Sequence, residues 1–171
     1  KGKITHLICS TGTGGTLSGT AQYLKEQNKN IKIIAVDAYG SVLKKYYETG
    51  LYDPNEIKPY RIEGTGKNII PANIFFDQID QYVKVTDESS AHKARKLAKT
   101  EGILAGYSSG AVLQALFSIK KQLTPTDFVV LIFADHGAKY LGKIFNDQWM
   151  LQQGFSLNEK QRKVRIPINN Q

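Results

Sequence analysis

Residues 3–19 read KITHLICSTGTGGTLSG: a strand-like stretch that runs into a glycine-rich turn and then into a helical pattern. Lys3 to Ser10 has the apolar and β-branched content of a strand, and Leu17, Ala21 and Leu24 fall at i, i+4 and i+7 of the helix that follows. Strand, glycine turn and helix together open a βαβ unit, and the pattern recurs along the chain. Ile31 to Val36 (IKIIAV) reads as a second strand ending at Asp37, followed by a short helix around Val42 to Tyr47 with Ser41 as its N-cap. Tyr82 to Thr86 (YVKVT) is a third strand. Asp87 then caps a helix whose face is Ala91, Ala94, Leu97 and Ala98, and Gly102 closes it. A short apolar segment, Ile103 to Ala105, precedes a helix carrying Val112, Leu116, Ile119 and Leu123. Phe128 to Ala134 (FVVLIFA) is a continuous apolar run, the pattern of a central parallel strand covered on both faces. A last helix is expected over about Ala138 to Gln152, burying Leu141, Ile144 and Phe145. Residues 50–80 are broken by Pro54, Pro59, Pro71 and the run EGTGKN. The alternation predicts an α/β fold: a three-layer, doubly wound, mainly parallel sheet.

Composition narrows the function classes. The chain has 171 residues, 41% hydrophobic, 22% charged and 10% aromatic, which suits one globular domain and argues against disorder. No window is apolar enough for a membrane span, so no membrane partner is expected. Cys9, the single cysteine, excludes an internal disulfide and lies in an apolar stretch, the setting of a buried structural thiol and a reducing cytoplasm. His6, His92 and His136 are scattered, and no Cys/His spacing suits a metal. The net charge of +8 invites a nucleic-acid reading. Against it, only four of the 23 basic residues are arginine and no nucleic-acid motif appears. Lys44, Lys45, Lys93, Lys96 and Lys99 read as solvated helix faces, and Lys160, Arg162, Lys163 and Arg165 crowd a basic tail over residues 156–171.

The sharpest chemical motif is Gly12-Thr13-Gly14-Gly15-Thr16, set between a strand and a helix. Glycines let a backbone approach an anion, and a helix start offers unpaired N–H groups with a favourable dipole. Leu17 stands where a dinucleotide fingerprint needs glycine, and no lysine suits a P-loop. A phosphate cradle of another kind is expected. Ser108 in GYSSGA either caps a helix or serves a ligand. Asp135, after the apolar strand, has the same two readings. The loop Glu63-Gly64-Thr65-Gly66-Lys67-Asn68 is either a surface loop or a cover for a site.

GTGGTLSG, VDAYGS, EGTGKNIIPAN, EGILAGYSSGAV and DQWMLQQGF, in this order, resemble the pyridoxal-phosphate enzymes of the tryptophan-synthase β fold type, in the cystathionine β-synthase and cysteine synthase branch. The resemblance spans about Lys3 to Phe155. It implies pyridoxal 5'-phosphate as cofactor, Gly12 to Thr16 as the loop holding its phosphate, and Ser108 as the hydroxyl facing the pyridine nitrogen. It also implies that Glu63, Gly64, Thr65 and Gly66 line the amino-acid side of the site. A neutral hydroxyl makes the ring a weaker electron sink than a carboxylate would, which suits β-elimination and replacement. An amino acid and a thiol are the implied substrates, and a homodimer the implied assembly.

Two features depart from the branch. Lys67 stands where the cystathionine-synthase form has an aromatic residue, and His136 where serine is usual; NIIPAN leans towards the cysteine-synthase form, VDAYGS and DQWMLQQGF towards the other. The acceptor therefore stays open between homocysteine and sulfide. The family's Schiff-base lysine and the loop gripping the substrate carboxylate precede the glycine loop, and nothing in this chain matches either. The expectation is a C-terminal part of a catalytic core, residues 1–155, inactive alone. A non-catalytic phosphometabolite-binding domain is the alternative.

Overall fold

Four parallel strands form one sheet in the computed structural model, which describes residues 2–158. They are β1 (His6–Ser10), β2 (Lys32–Ala38), β3 (Gln81–Val85) and β4 (Val129–Leu131), in the order β3-β2-β1-β4. The register sets Ile8 beside Ile34 on one side and Leu131 on the other, with Val36 beside Val83. Five helices surround the sheet: α1 (Gly15–Gln27), α2 (Leu43–Thr49), α3 (Asp87–Glu101), α4 (Tyr107–Ile119) and α5 (Asp147–Gln152).

The period-two alternation of each strand sends its apolar residues to two separate cores. Leu7, Cys9, Ile33 and Ala35 pack with Leu17 and Ala21 of α1 and Leu43 of α2. Ile8, Ile34, Val36 and Val83 pack with Ala91 and Ala94 of α3 and Val112 of α4. Helices on both faces of a parallel sheet make the three-layer, doubly wound α/β arrangement read from the sequence. Small residues let α3 and α4 touch closely: a Cβ on Gly110 would lie 2.1 Å from the Ser90 carbonyl oxygen.

Several boundaries differ from the sequence reading, each for a local reason. The first strand starts at His6 rather than Lys3. The Val42–Tyr47 helix becomes Leu43–Thr49 with Val42 as its N-cap residue; the Ser41 hydroxyl accepts the Lys67 N–H at 2.9 Å and the Leu43 N–H at 3.4 Å. Thr86, not Asp87, caps α3 by accepting the Ser89 N–H. Asp87 instead accepts the N–H groups of Arg61 and Ile62. Lys93 is not a solvated lysine: it is 6% exposed, with its ammonium 4.5 Å from the Phe117 ring centroid. The FVVLIFA run forms only the three-residue ladder of β4, at the sheet edge with half-buried residues, and no strand flanks its outer side among the described residues. The expected helix over Ala138–Gln152 splits into a 3₁₀ turn at Gly137–Tyr140 and α5. Asn146 forces the break by capping α5 with its own side chain, and Leu141 between the two pieces is 57% exposed. The basic tail from residue 159 onward lies outside the described residues.

Candidate active site

The chain runs from β1 to β2 to β3 in one direction, then returns to lay β4 on the other side of β1. In a doubly wound sheet such a reversal opens a crevice at the carboxyl ends of the two strands. A cleft of about 390 Å³ lies there, walled by Cys9 and Ser10 of β1 and by Ile132 and Ala134 just past β4.

Two glycine-rich loops build much of the rest of its wall. Gly12, Thr13, Gly14 and Thr16 come from the loop after β1, and Gly64, Thr65 and Gly66 from the segment before β3. They meet backbone to backbone. The Gly66 N–H donates to the Thr11 carbonyl at 2.7 Å, and a Cβ on Gly12 would lie 2.8 Å from the Gly64 oxygen. Gly14 is the N-cap of α1 at φ +93°, where a Cβ would meet Ile74 Cγ1 at 2.4 Å. A side chain at Gly12 would push the two loops apart, and one at Gly14 would collide with Ile74 and Asn73.

The start of α1 is left open. Gly14 has no capping side chain, and no acidic residue occupies the first turn. The first helical hydrogen bond is from the Ser18 N–H to the Gly14 carbonyl, so the N–H groups of Gly15, Thr16 and Leu17 have no helical acceptor. These donors, with the helix dipole and the exposed hydroxyls of Thr13 and Thr16, suit an anion.

Other predicted residues are placed differently. Gly15 is exposed beside the cleft rather than in its wall. Glu63 is also outside the wall and pairs with Lys143. Ser108 is the second residue of α4, which Gly106 caps without a side chain, so neither Ser108 nor Ser109 is the N-cap. Ser108 is 4% exposed and lies against Gly64, where a Cβ would be 3.9 Å from its Oγ. Asp135 accepts the Tyr140 hydroxyl at 2.9 Å, while His136, not Asp135, caps the following 3₁₀ turn. Burial first, then this bond to Asp135, raises the Tyr140 hydroxyl above its ordinary range. Cys9 is buried, and burial pushes its thiol up to about 11, in keeping with a structural role.

Sequence reasoning missed Tyr60 and Ile62, which also line the cleft together with Lys67 of the expected covering loop. Lys67 directly follows the glycine segment and was legible by position; for Tyr60 no sequence signal exists. Ile132 and Ala134 follow from the rule that ligands bind at strand carboxyl ends.

Residues 1–135 match the family model described as "Pyridoxal-phosphate dependent enzyme". The chain belongs to that family. It is 41% identical over 155 residues to cystathionine beta-synthase of Apis mellifera, covering 91% of this chain and 30% of that protein. It is 36% identical over 140 residues to cysteine synthase of Helicobacter pylori, covering 82% of this chain and 43% of that protein. A solved structure, the O-acetylserine dependent cystathionine beta-synthase from Helicobacter pylori, superposes with a TM-score of 0.71 at 38% identity, over 83% of this chain and 44% of that one. The chain thus spans about a third to under a half of these relatives. The family's cofactor fits the residues present. The three N–H groups without helical acceptors at the start of α1, beside the exposed hydroxyls of Thr13 and Thr16, are what a phosphate monoester requires. Among the described residues no helix is long and apolar enough to cross a membrane, and no group of three His, Cys, Asp or Glu suits a metal.

Proposed function

We propose that this chain supplies the cofactor-phosphate side of a pyridoxal-phosphate-dependent β-replacement enzyme of sulfur amino-acid metabolism. The reaction joins serine or O-acetylserine to homocysteine or sulfide, giving cystathionine or cysteine. The observation that carries this reading is the open start of α1 at the switch point of the sheet, in a chain of this family.

In this reading the N–H groups of Gly15, Thr16 and Leu17 and the hydroxyls of Thr13 and Thr16 hold the phosphate. Gly12 and Gly14 contribute by having no side chain. The Ser108 hydroxyl would serve the pyridine nitrogen, and residues 63–66 would bound the amino-acid side. Bound there, pyridoxal phosphate supplies the electron sink that lets an amino acid lose its α-proton and β-substituent. Ser108 keeps that sink weak, because it cannot neutralise a pyridinium as a carboxylate would. The Schiff-base lysine belongs to the part of the enzyme outside this chain, so residues 1–155 alone are inactive. The working enzyme is a cytoplasmic homodimer that binds neither nucleic acid nor membrane.

The test uses the full-length protein. Bound cofactor is read from visible absorbance and from intact mass after borohydride reduction, and turnover is followed with serine or O-acetylserine plus each thiol. Thr16→Ala should weaken cofactor retention roughly tenfold, the usual size of a lost hydrogen bond to a charged group. Ser108→Asp should keep the cofactor and lower β-replacement. Retained cofactor with no turnover for any thiol would replace the enzyme reading with that of a non-catalytic phosphate-binding domain.

A further inference from the structure

The chain from Tyr60 to Gly66 lines the cleft with Tyr60, Ile62, Gly64, Thr65 and Gly66, yet it belongs to no helix or strand. Backbone bonds tie its two ends: the Lys58 N–H donates to the Gly40 carbonyl at 3.2 Å, and the Gly66 N–H to the Thr11 carbonyl. Among the described residues, the backbone groups of residues 59–65 in between find one protein partner, the Asp87 carboxylate. Its Oδ1 accepts the Arg61 N–H at 2.9 Å and the Ile62 N–H at 3.2 Å, and its Oδ2 lies 3.9 Å from the Arg61 guanidinium.

The helix that carries Asp87 does not account for this. Thr86 already caps α3, and an acid in a first turn gains from the helix dipole while staying in water. The Asp87 side chain is instead turned inward and is 15% exposed. Burial pushes its carboxyl above the ordinary range, although the Arg61 and Ile62 N–H groups and the Arg61 charge oppose that rise. The charge is held against its burial, which service to α3 alone would not require.

The main chain of Asp87 makes a second connection. Its carbonyl accepts the Tyr107 hydroxyl at 3.0 Å, and the buried Tyr107 is the first residue of α4, directly before Ser108. Asp87 therefore holds both sides of one contact. Ile62 leads into Gly64, and Gly64 lies against Ser108.

We propose that Asp87 is a positioning residue for the cofactor site, a joint that sets the glycine segment and the start of α4 relative to each other. This rests on the reading above, in which Ser108 and residues 63–66 serve the cofactor ring and the amino acid. A charged acceptor shared by two neighbouring N–H groups fixes the direction of the chain as well as its place. Small displacements of groups around a reacting centre lower the rate steeply.

The experiment uses full-length holoenzyme and its Asp87→Ala, Asp87→Asn, Tyr107→Phe and Thr86→Ala variants. Turnover, the visible absorbance of bound pyridoxal phosphate, and hydrogen–deuterium exchange of peptides covering residues 58–66 are measured for each. In Asp87→Ala kcat should fall roughly tenfold or more with cofactor still bound, the absorbance band should shift, and exchange over 58–66 should quicken about tenfold. Asp87→Asn keeps an acceptor oxygen and should recover most of these losses. Tyr107→Phe should lower kcat less, with a smaller spectral shift. Thr86→Ala, which weakens the same helix start without touching the joint, should match wild type in all three readouts. Unchanged kcat and absorbance in Asp87→Ala overturn the proposal, as do equal losses in Thr86→Ala or no recovery in Asp87→Asn. Should Asp87→Ala fail to fold, Tyr107→Phe decides, and wild-type kcat and absorbance there overturn it. If the wild-type enzyme turns over no thiol, the replacement reading falls, while exchange over 58–66 still decides for or against Asp87.

Discussion

The two ends of the sheet treat their polar groups in opposite ways. At the amino end Asp80 receives the Lys25 ammonium at 2.7 Å, the Lys32 ammonium at 3.4 Å and the Ile33 N–H at 2.8 Å, which ties α1 and β2 together. At the carboxyl end, beside β1, three helix N–H groups, the Thr65 hydroxyl and the Lys67 ammonium have no protein partner among the described residues. The difference is not a general property of the carboxyl ends. α3 also starts there, after β3, yet Thr86 caps it and Asp87 and Glu88 fill its first turn. Polar groups tie elements together at Asp80 and at the start of α3, and are left open at the start of α1 beside the cleft.

That contrast predicts an ordered set of effects. Gly14→Ala combines a positive φ with a 2.4 Å clash, and should destabilise the protein by about 3 kcal/mol and abolish cofactor retention. Gly15→Ala, with nothing within 4 Å of the new Cβ, should leave stability within about 0.5 kcal/mol of wild type. Chemical denaturation of both variants checks the pair, and equal losses would remove the argument that the loop conformation demands glycine at 14.

Asp80→Ala should cost about 2 kcal/mol and leave cofactor content untouched. Burial pushes this carboxyl up, but the Lys25 ammonium, the Ile33 N–H and Lys32 outweigh burial and hold it below the ordinary range. With a lowered folded value, its contribution is present above the unfolded value of about 3.9 and is lost as pH falls through the folded one. Denaturation midpoints of wild type and variant should therefore converge in acid; a gap that persists there would show that packing, not charge, makes the difference.

Thr86→Ala should cost about 1 kcal/mol in thermal unfolding with no change in cofactor content. Thr16→Ala should do the reverse, since its hydroxyl is exposed and makes no hydrogen bond to protein among the described residues: weaker cofactor binding at unchanged stability of the cofactor-free protein. A stability loss in Thr16→Ala equal to that in Thr86→Ala would erase the distinction between a closed helix start and an open one. Smallest of all is the effect at Cys9, which should stay unreactive towards thiol reagents at pH 8 until the protein unfolds, as its raised pKa and burial require.

Much of this was legible in the chain. Strand alternation and helical spacing predicted the three layers, because burial on two faces leaves a period in the sequence that survives any detail of packing. The glycine loop after β1 was legible because such a turn needs residue types, glycine and threonine, at one fixed place after a strand. The boundaries were less so. The helix expected over 138–152 has the right apolar spacing, but a single Asn146 side chain restarts the backbone hydrogen bonding within it. Ser108 and Asp135 read equally as caps, since capping and ligand binding use the same short polar side chains.

The sequence by itself determined the parallel α/β sheet, the glycine loop after β1 and the membership in a pyridoxal-phosphate family. Only the tertiary structure decided that residues 63–67 lie against that loop, that β4 rather than a more central strand closes the crevice, and that Lys67 stands unpaired in its wall. The physical reason is range. Periodicity and turn chemistry act between neighbours in the chain, whereas the cleft is made by backbone contacts such as Gly66 to Thr11, 55 residues apart, which leave only the glycines as a trace in sequence.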